Sequence, residues 1–338
     1  MRIEVVDPSG CGLGPAIGLA QLGHVVSHRG PSHWATAIDD TARCSRELQQ
    51  RFLQPHPVQG AGPDLVVLID VFTDYVLALE RGTGAVPGVE VRDPLDGAAG
   101  TLVYPDRLQW YCERAAAAER LVIVDMSDAM APREVALEMF PQATLLAREC
   151  PARGDGRWRP FPFLYNHVML WLEAMWPASL WRVPGSQRVR THDWAFCGTV
   201  DHARYQGQRR RALASLAQRW PTLRGRIEVD LTFHDVRQVW QQVGFGVDLP
   251  GVGELCFRLH ECLSLGTPLV RPLPARVALP PSLRAVVVDE PERLRGVDAE
   301  QVLAAYEAGF APRAAAEWLL AAVEADSAVR AGRAEPVR

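Results

Sequence analysis

No lysine occurs among the 338 residues, so apart from histidine every basic side chain is an arginine. That absence reads as compositional bias rather than chemistry, and no phosphate loop ending in Gly-Lys-Ser or Gly-Lys-Thr is present. Cysteine is sparse: Cys11, Cys44, Cys112, Cys150, Cys197, Cys256 and Cys262 form an odd set without a Cys-x-x-Cys pair. Such a set fits neither a disulfide framework nor a zinc ribbon, and it points to a reducing cytoplasm. No apolar run reaches membrane-spanning length, and the apolar stretch in the opening MRIEVVDPSG is too short for a signal-peptide core. The patterns Gly-x-Ser-x-Gly, His-Glu-x-x-His and Asp-x-Asp are missing, and the nine histidines form no ligand cluster, so no metal is implied. A net charge of −4 argues against a surface coated for nucleic acid, although it leaves room for a local basic groove.

What is present describes a folded α/β protein. Apolar residues make up 48% of the chain and charged residues 22%, with no low-complexity tract. A chain of 338 residues exceeds what one core usually holds, so two domains facing a cleft are expected. A strand over 3–6, a turn with Gly10, Gly12 and Gly14, a helix over 15–22 and a strand over 24–27 begin a βαβ unit. Apolar runs at 65–69, 121–124 and 144–147 continue it as buried parallel strands. Pro177, Pro184, Gly185 and Ser186 interrupt the pattern between 176 and 192, where a linker is expected. Beyond it the alternation restarts: strands over 194–197, 227–231, 245–249, 269–271 and 285–288 are separated by helices over 207–220, 234–242 and 255–265. Two terminal helices, 299–308 and 312–324, complete the chain, giving expected domains of 1–180 and 181–310 with a C-terminal helix and tail over 311–338.

The densest chemical signal lies between 245 and 272. A strand ends at Leu249-Pro250, Gly251 and Gly253 make a turn, and the following helix carries Arg258 and Glu261, three apart and therefore on one face. A helix start with glycines before it suits a pyrophosphate, to which Arg258 adds charge-assisted contacts while Glu261 accepts from ribose hydroxyls. The series Gly251-x-Gly253, Arg258-x-x-Glu261 and Gly266-x-Pro268-x-Val270 resembles the donor-site signature of exostosin-like and related GT-B glycosyltransferases. The resemblance implies two Rossmann-like α/β/α domains, a nucleoside diphosphate sugar (a UDP-sugar first) as co-substrate, Arg258 on the diphosphate and Glu261 on the ribose. Cys256 departs from the pattern, which usually has a small hydroxyl residue there. Phe196-Cys197-Gly198-Thr199 followed by Arg209, Arg210 and Arg211 is similar to the opening of a GT-B C-terminal domain. It implies Gly198 and Thr199 facing the donor and Arg209 reaching phosphate. The segment from Asp7 to Gly14, with Leu19, Gly23, His24 and Val26, resembles the first βαβ of GT-B acceptor domains. A nicotinamide-binding fold fits less well: position 15 is not glycine, and the second strand ends in Ser27-His28-Arg29 without an acidic residue for a ribose.

Transfer to an acceptor hydroxyl needs a group to take its proton, and carboxylates at strand ends are the natural suppliers. Asp128 in VDMSD is the first choice and Asp70 the second; Asp74, Asp125, Asp7 and His24 are further candidates. The expected acceptor is a glycan, a lipid or a small molecule. Two alternatives remain open at this stage: a catalytically silent protein of the same fold that binds a nucleotide or glycan, and a transferase acting on a hydroxylated base in DNA through arginines such as Arg204 and Arg209.

Overall fold

Runs of Val, Leu and Ile without polar alternation become strands covered on both faces, and the chain builds two parallel sheets from them. The computed structural model describes residues 1–7, 10–29, 39–54, 62–69, 91–92, 99–100, 113–126, 131–151, 153–154, 156–201, 207–229, 231–250, 255–273 and 277–333. It divides into two compact units, residues 1–161 with 312–338, and residues 162–311.

In the first unit the order is β1 (Arg2–Val6), α1 (Leu13–Gln21), β2 (Val25–Arg29), α2 (Asp39–Phe52), β3 (Leu65–Ile69), a short pair β4 (Val91–Arg92) and β5 (Ala99–Gly100), β6 (Arg120–Asp125), α3 (Ala131–Met139), β7 (Thr144–Ala147) and β8 (Arg159–Pro160). Its sheet runs β2-β1-β3-β6-β7-β8 and is parallel throughout, while β4 and β5 pair antiparallel by themselves. Val66, Leu68, Ile123, Leu145 and Trp158 form part of its core.

The second unit contains α4 (His167–Met175), single 3-10 turns at Ala178–Leu180 and Gly185–Gln187, β9 (His192–Cys197), α5 (Gln208–Arg219), β10 (Gly225–Glu228), α6 (Phe233–Gln241), β11 (Val243–Val247), α7 (Arg258–Ser264), β12 (Leu269–Val270), β13 (Val287–Val288) and α8 (Ala299–Gly309). Its parallel sheet has the order β10-β9-β11-β12-β13. Trp194, Phe196, Leu213, Trp220, Phe245 and Val247 pack into one cluster beneath it, with Trp220 edge-on to both Trp194 and Phe245. The last helix, α9 (Pro312–Arg333), belongs to the first unit. Two tandem α/β units with Rossmann-like parallel sheets are therefore what the chain forms.

The division differs from the expected boundary at 180. Proline and glycine do break the helical pattern after Met175, but the 176–192 stretch is docked within the second unit instead of linking two. Arg188 donates to the carbonyls of Gly266 (2.9 Å) and Leu265 and to the Thr267 hydroxyl (3.3 Å), and Val183 N donates to Gln241 (2.5 Å). The C-terminal helix is likewise no separate appendage. It lies on α1, where Gly18 lets the Pro312 carbonyl approach so closely that a β-carbon would sit 1.9 Å from it.

Candidate functional site

In the second sheet the chain leaves β9 for β10 on one side and leaves β11 for β12 on the other. This is the 2-1-3-4-5 order, and its switch point lies between the first and third strands of the unit, here β9 and β11. Loops diverging from adjacent strand ends open a crevice at their carboxyl side, the usual ligand position in such sheets. The loop after β9 begins Gly198-Thr199 and that after β11 begins Asp248-Leu249-Pro250.

Two arginines link the end of β9 and the loop that follows it to the loop after β11. Arg258, the first residue of α7, donates from Nη1 to the Cys197 carbonyl (3.4 Å) and from Nη2 to the Leu249 carbonyl. Arg209, from the first turn of α5, donates from Nη1 to the Thr199 carbonyl (2.6 Å) and from Nε to the Pro250 carbonyl (2.9 Å). Both guanidiniums lie against the Phe196 ring, 4.7 Å and 5.7 Å from its centroid, a favourable placement for a cation on a π face. Gly198 makes room for this: its φ is +139°, and a β-carbon there would meet Arg258 Nη1 at 2.9 Å.

Asp248, 2% exposed, faces Arg258 Nε at 3.4 Å and Arg271 Nε at 3.2 Å. Burial works against the charge on Arg258, yet neighbouring Cys256, Asp248 and Glu261 hold its pKa above the ordinary arginine value. The cation is thus fixed in a desolvated place, where its field on an approaching anion is screened far less than in water. Cys197 is affected in the opposite sense: burial first, then Glu261 and Glu228, push its thiol up to about 12, so it stays neutral. Cys256, half-buried, donates to the Leu249 carbonyl (3.6 Å) and lies 3.9 Å from Arg209 Nη2, so this departure from the signature sits against Arg209 and the loop after β11.

Glu261 is held from two sides. Its Oε1 accepts from Asn166 Nδ2 at 2.8 Å and its Oε2 from Trp240 Nε1 at 3.5 Å. A carboxylate offers about four acceptor sites, so capacity for further donors remains. Next to it, His260 is fully buried, its Nδ1 accepting from Asn166 N (2.9 Å) and its Nε2 facing the Tyr306 hydroxyl (3.0 Å), which donates to Glu173 (2.8 Å).

The structure thus brings Gly198, Thr199, Arg209 and Arg258 together around two strand ends, with Glu261 on the same short helix as Arg258. That helix begins at Arg258 and not at Leu255, and Phe257 at its N-cap supplies no capping side chain. Gly251 and Gly253 lie outside the described residues. Arg210 turns away to an exposed pairing with Asp201. Four participants went unnoticed in the sequence: Asn166, Asp248, Arg271 and Trp240. Asp248, at the end of an apolar run, and Asn166, just before a helical pattern, carried recognisable signals.

In the first unit, Asp128, Asp70 and Asp74 lie outside the described residues. Asp125 is buried against Arg133, Nε at 2.6 Å. Asp7 is buried and accepts from Gly12 N (2.8 Å) and His28 Nε2 (3.2 Å), while His28 Nδ1 takes the Gln49 amide (3.2 Å). These two carboxylates hold the fold around the strand ends. His24 sits beside the terminal amine, and burial followed by that charge lowers its pKa. A groove of about 990 Å3 in this unit, lined by Arg153, Arg157, Trp158 and Trp318 among others, includes the approach to the amino end of β7 and none of the expected site residues. Among the described residues no group of three or more His, Cys, Asp or Glu is placed to hold a metal ion, and no helix is long and apolar enough to cross a membrane.

No protein-family profile and no curated protein matches the sequence. Among solved structures, the chain is similar to the catalytic domain of starch synthase IV from Arabidopsis thaliana bound to ADP and acarbose, at 8% identity and a TM-score of 0.41, over 97% of this chain and 99% of that one. It is also similar to Anabaena HepE in complex with UDP and glucose, at 10% identity and a TM-score of 0.39, over 96% and 100% of the two chains. A third likeness is to sucrose-phosphate synthase from Thermosynechococcus elongatus, at 12% identity and a TM-score of 0.28, over 98% of each.

Proposed function

We propose that the chain is a nucleotide-sugar-dependent glycosyltransferase of the GT-B kind, binding the diphosphate of its donor, a UDP-sugar first, at the crevice between the loops after β9 and β11. The observation that carries this reading is the pair of buried arginines at the switch point of the second sheet, Arg209 bridging both loops and Arg258 tying the end of β9 to the loop after β11. Negative charge develops on the leaving diphosphate as the glycosidic bond to it breaks, and preorganised cations there stabilise that state without reorganising. Arg258 uses one Nη1 and one Nη2 hydrogen on the Cys197 and Leu249 carbonyls, with its Nε 3.4 Å from Asp248, so each terminal nitrogen keeps a second N–H for a phosphate oxygen. Glu261 retains acceptor capacity for ribose hydroxyls. The acceptor is assigned to the first unit, with Asp128, then Asp70, as the base that takes its proton; a glycan, lipid or small molecule is the class of acceptor in view.

The test is a thermal-shift titration with UDP, GDP, ADP and CDP and their sugars on the wild type, Arg258→Lys and Glu261→Gln, followed by assay of nucleotide release. A ligand at one hundred times its dissociation constant adds about 2.7 kcal/mol to stability. One base family is expected to stabilise the wild type, with both variants folded but losing most of the response. Absence of a response to every nucleotide, or equal responses in the variants, would remove the donor-site assignment.

A further inference from the structure

Asn166 stands immediately before α4, and its side-chain Oδ1 accepts from the backbone N–H groups of Val168 (3.0 Å) and Met169 (3.3 Å). This is an N-cap, and it settles which way the amide faces: Oδ1 must point at the two donors, so Nδ2 must point away from them. Nδ2 meets Glu261 Oε1 at 2.8 Å. The backbone N–H of the same residue donates to His260 Nδ1, which leaves the imidazole proton on Nε2, facing Tyr306. One residue therefore fixes two consecutive side chains of α7, the helix that begins with Arg258. Trp240 Nε1 approaches the second oxygen of Glu261 from α6 at 3.5 Å. With one N–H donor on each oxygen, the carboxylate plane cannot rotate freely, and its remaining lone pairs have set directions.

We infer that Asn166 is a positioning residue which aims the Glu261 carboxylate at the vicinal hydroxyls of a ribose, so that the site selects ribonucleoside diphosphates over their 2′-deoxy counterparts. The inference rests on the nucleotide-binding reading above, in which Glu261 meets the ribose, and goes further by assigning the residue that holds that carboxylate in place. A carboxylate held in one orientation accepts from a ribose hydroxyl at little ordering cost, whereas a freely rotating one first has to be ordered. An acceptor built for a hydroxyl also loses most when the hydroxyl is missing.

Asn166→Asp and Asn166→Ser both retain an N-cap oxygen and so should keep α4, while Asp has no donor for Glu261 and the shorter Ser hydroxyl does not reach where Nδ2 stood. The measurement is calorimetric or fluorescence titration of the full chain with UDP, GDP, ADP and CDP, each beside its 2′-deoxy form, with thermal unfolding of the unliganded variants as the control for folding. Wild type is expected to prefer the ribonucleotide about tenfold or more, the scale of one hydrogen bond to a charged group. In both variants that ratio should fall towards one through loss of ribonucleotide affinity, with the deoxy affinity little changed. A merely structural role would weaken both nucleotides alike and leave the ratio intact, which overturns the inference. Wild type binding ribo and deoxy forms equally also overturns it while leaving the nucleotide site standing. Wild type binding none of the eight overturns the nucleotide reading and this inference with it.

Discussion

At the residue scale, the site depends on side chains whose meaning is set by what they touch. Arg258 and Glu261 were legible from spacing alone, because a three-residue separation on a helix following a strand and a glycine turn is a pattern with a chemical use. The commitments of these groups were not legible. No spacing reveals that Arg258 bridges the carbonyls of Cys197 and Leu249, 61 and 9 residues away, or that Asp248 faces two arginines. The same holds for the carboxylates of the first unit: Asp125 and Asp7 sit at strand ends as a base would, yet protein donors engage both. Gly198 joins the two kinds of information, since its sequence context suggested a turn and its backbone explains the requirement. Gly198→Ala puts a β-carbon 2.9 Å from Arg258 Nη1 at a φ of +139°. Strain of this kind costs about 1–3 kcal/mol. The guanidinium must also move, so the variant is expected to lose donor-nucleotide binding beyond what its lower urea midpoint accounts for. Unchanged binding in a folded Gly198→Ala protein would detach Gly198 from the site.

At the element scale, alternating apolar runs and amphipathic segments gave the existence and order of β1, β3, β6, β7 and most elements of the second unit, because a buried parallel strand is a local compositional event. Ends were less legible. β10 runs over Gly225–Glu228 and stops short of the apolar stretch to 231, and α7 starts three residues later than its apolar pattern suggests. Ladder partners decide where a strand ends, and those partners are distant in sequence. The two-residue β8 has almost no signal of its own; it exists because Arg159 and Pro160 find β7. Helix packing is equally non-local. α1 contains Gly18 in its middle, a poor helix former at that position, and the reason is the passage of Pro312 at the start of α9. Gly18→Ala would improve intrinsic helix propensity by about 1 kcal/mol, yet its β-carbon would lie 1.9 Å from the Pro312 carbonyl and 3.0 Å from the Ala316 β-carbon. Overpacking of a rigid backbone contact costs about 1–3 kcal/mol, so the net effect is expected to be destabilising, with α9 amides exchanging hydrogen faster. A more stable Gly18→Ala variant would mean that α9 does not rest on α1 as described.

At the scale of the whole molecule, length and the restart of the α/β rhythm announced two units, while their membership followed from contacts that cross the sequence. Proline and glycine between 176 and 192 signal a break in helix, and a break is equally compatible with a linker and with the docked turns that Arg188 and Gln241 hold in place. The final helix has an apolar face that fits any neighbour, and its contacts with α1, together with the Trp318 and Asp326 contacts to β8, assign it to the first unit. The consequence is a chain whose second unit is continuous, residues 162–311, and whose first is completed from its far end. A continuous unit with its own sheet and core is expected to fold when produced alone. Residues 162–311 should therefore unfold cooperatively in urea and, under the donor-site proposal, retain a thermal shift with the nucleotide that stabilises the full chain. Residues 1–161 without 312–333 should fail to fold cooperatively, because the α1 face that α9 covers is left in water. Adding a peptide of residues 312–333 in trans should restore part of that transition. A stable, cooperative 1–161 fragment would show that α9 is dispensable to the first unit, and an unfolded 162–311 fragment would show that the second unit depends on the rest of the chain.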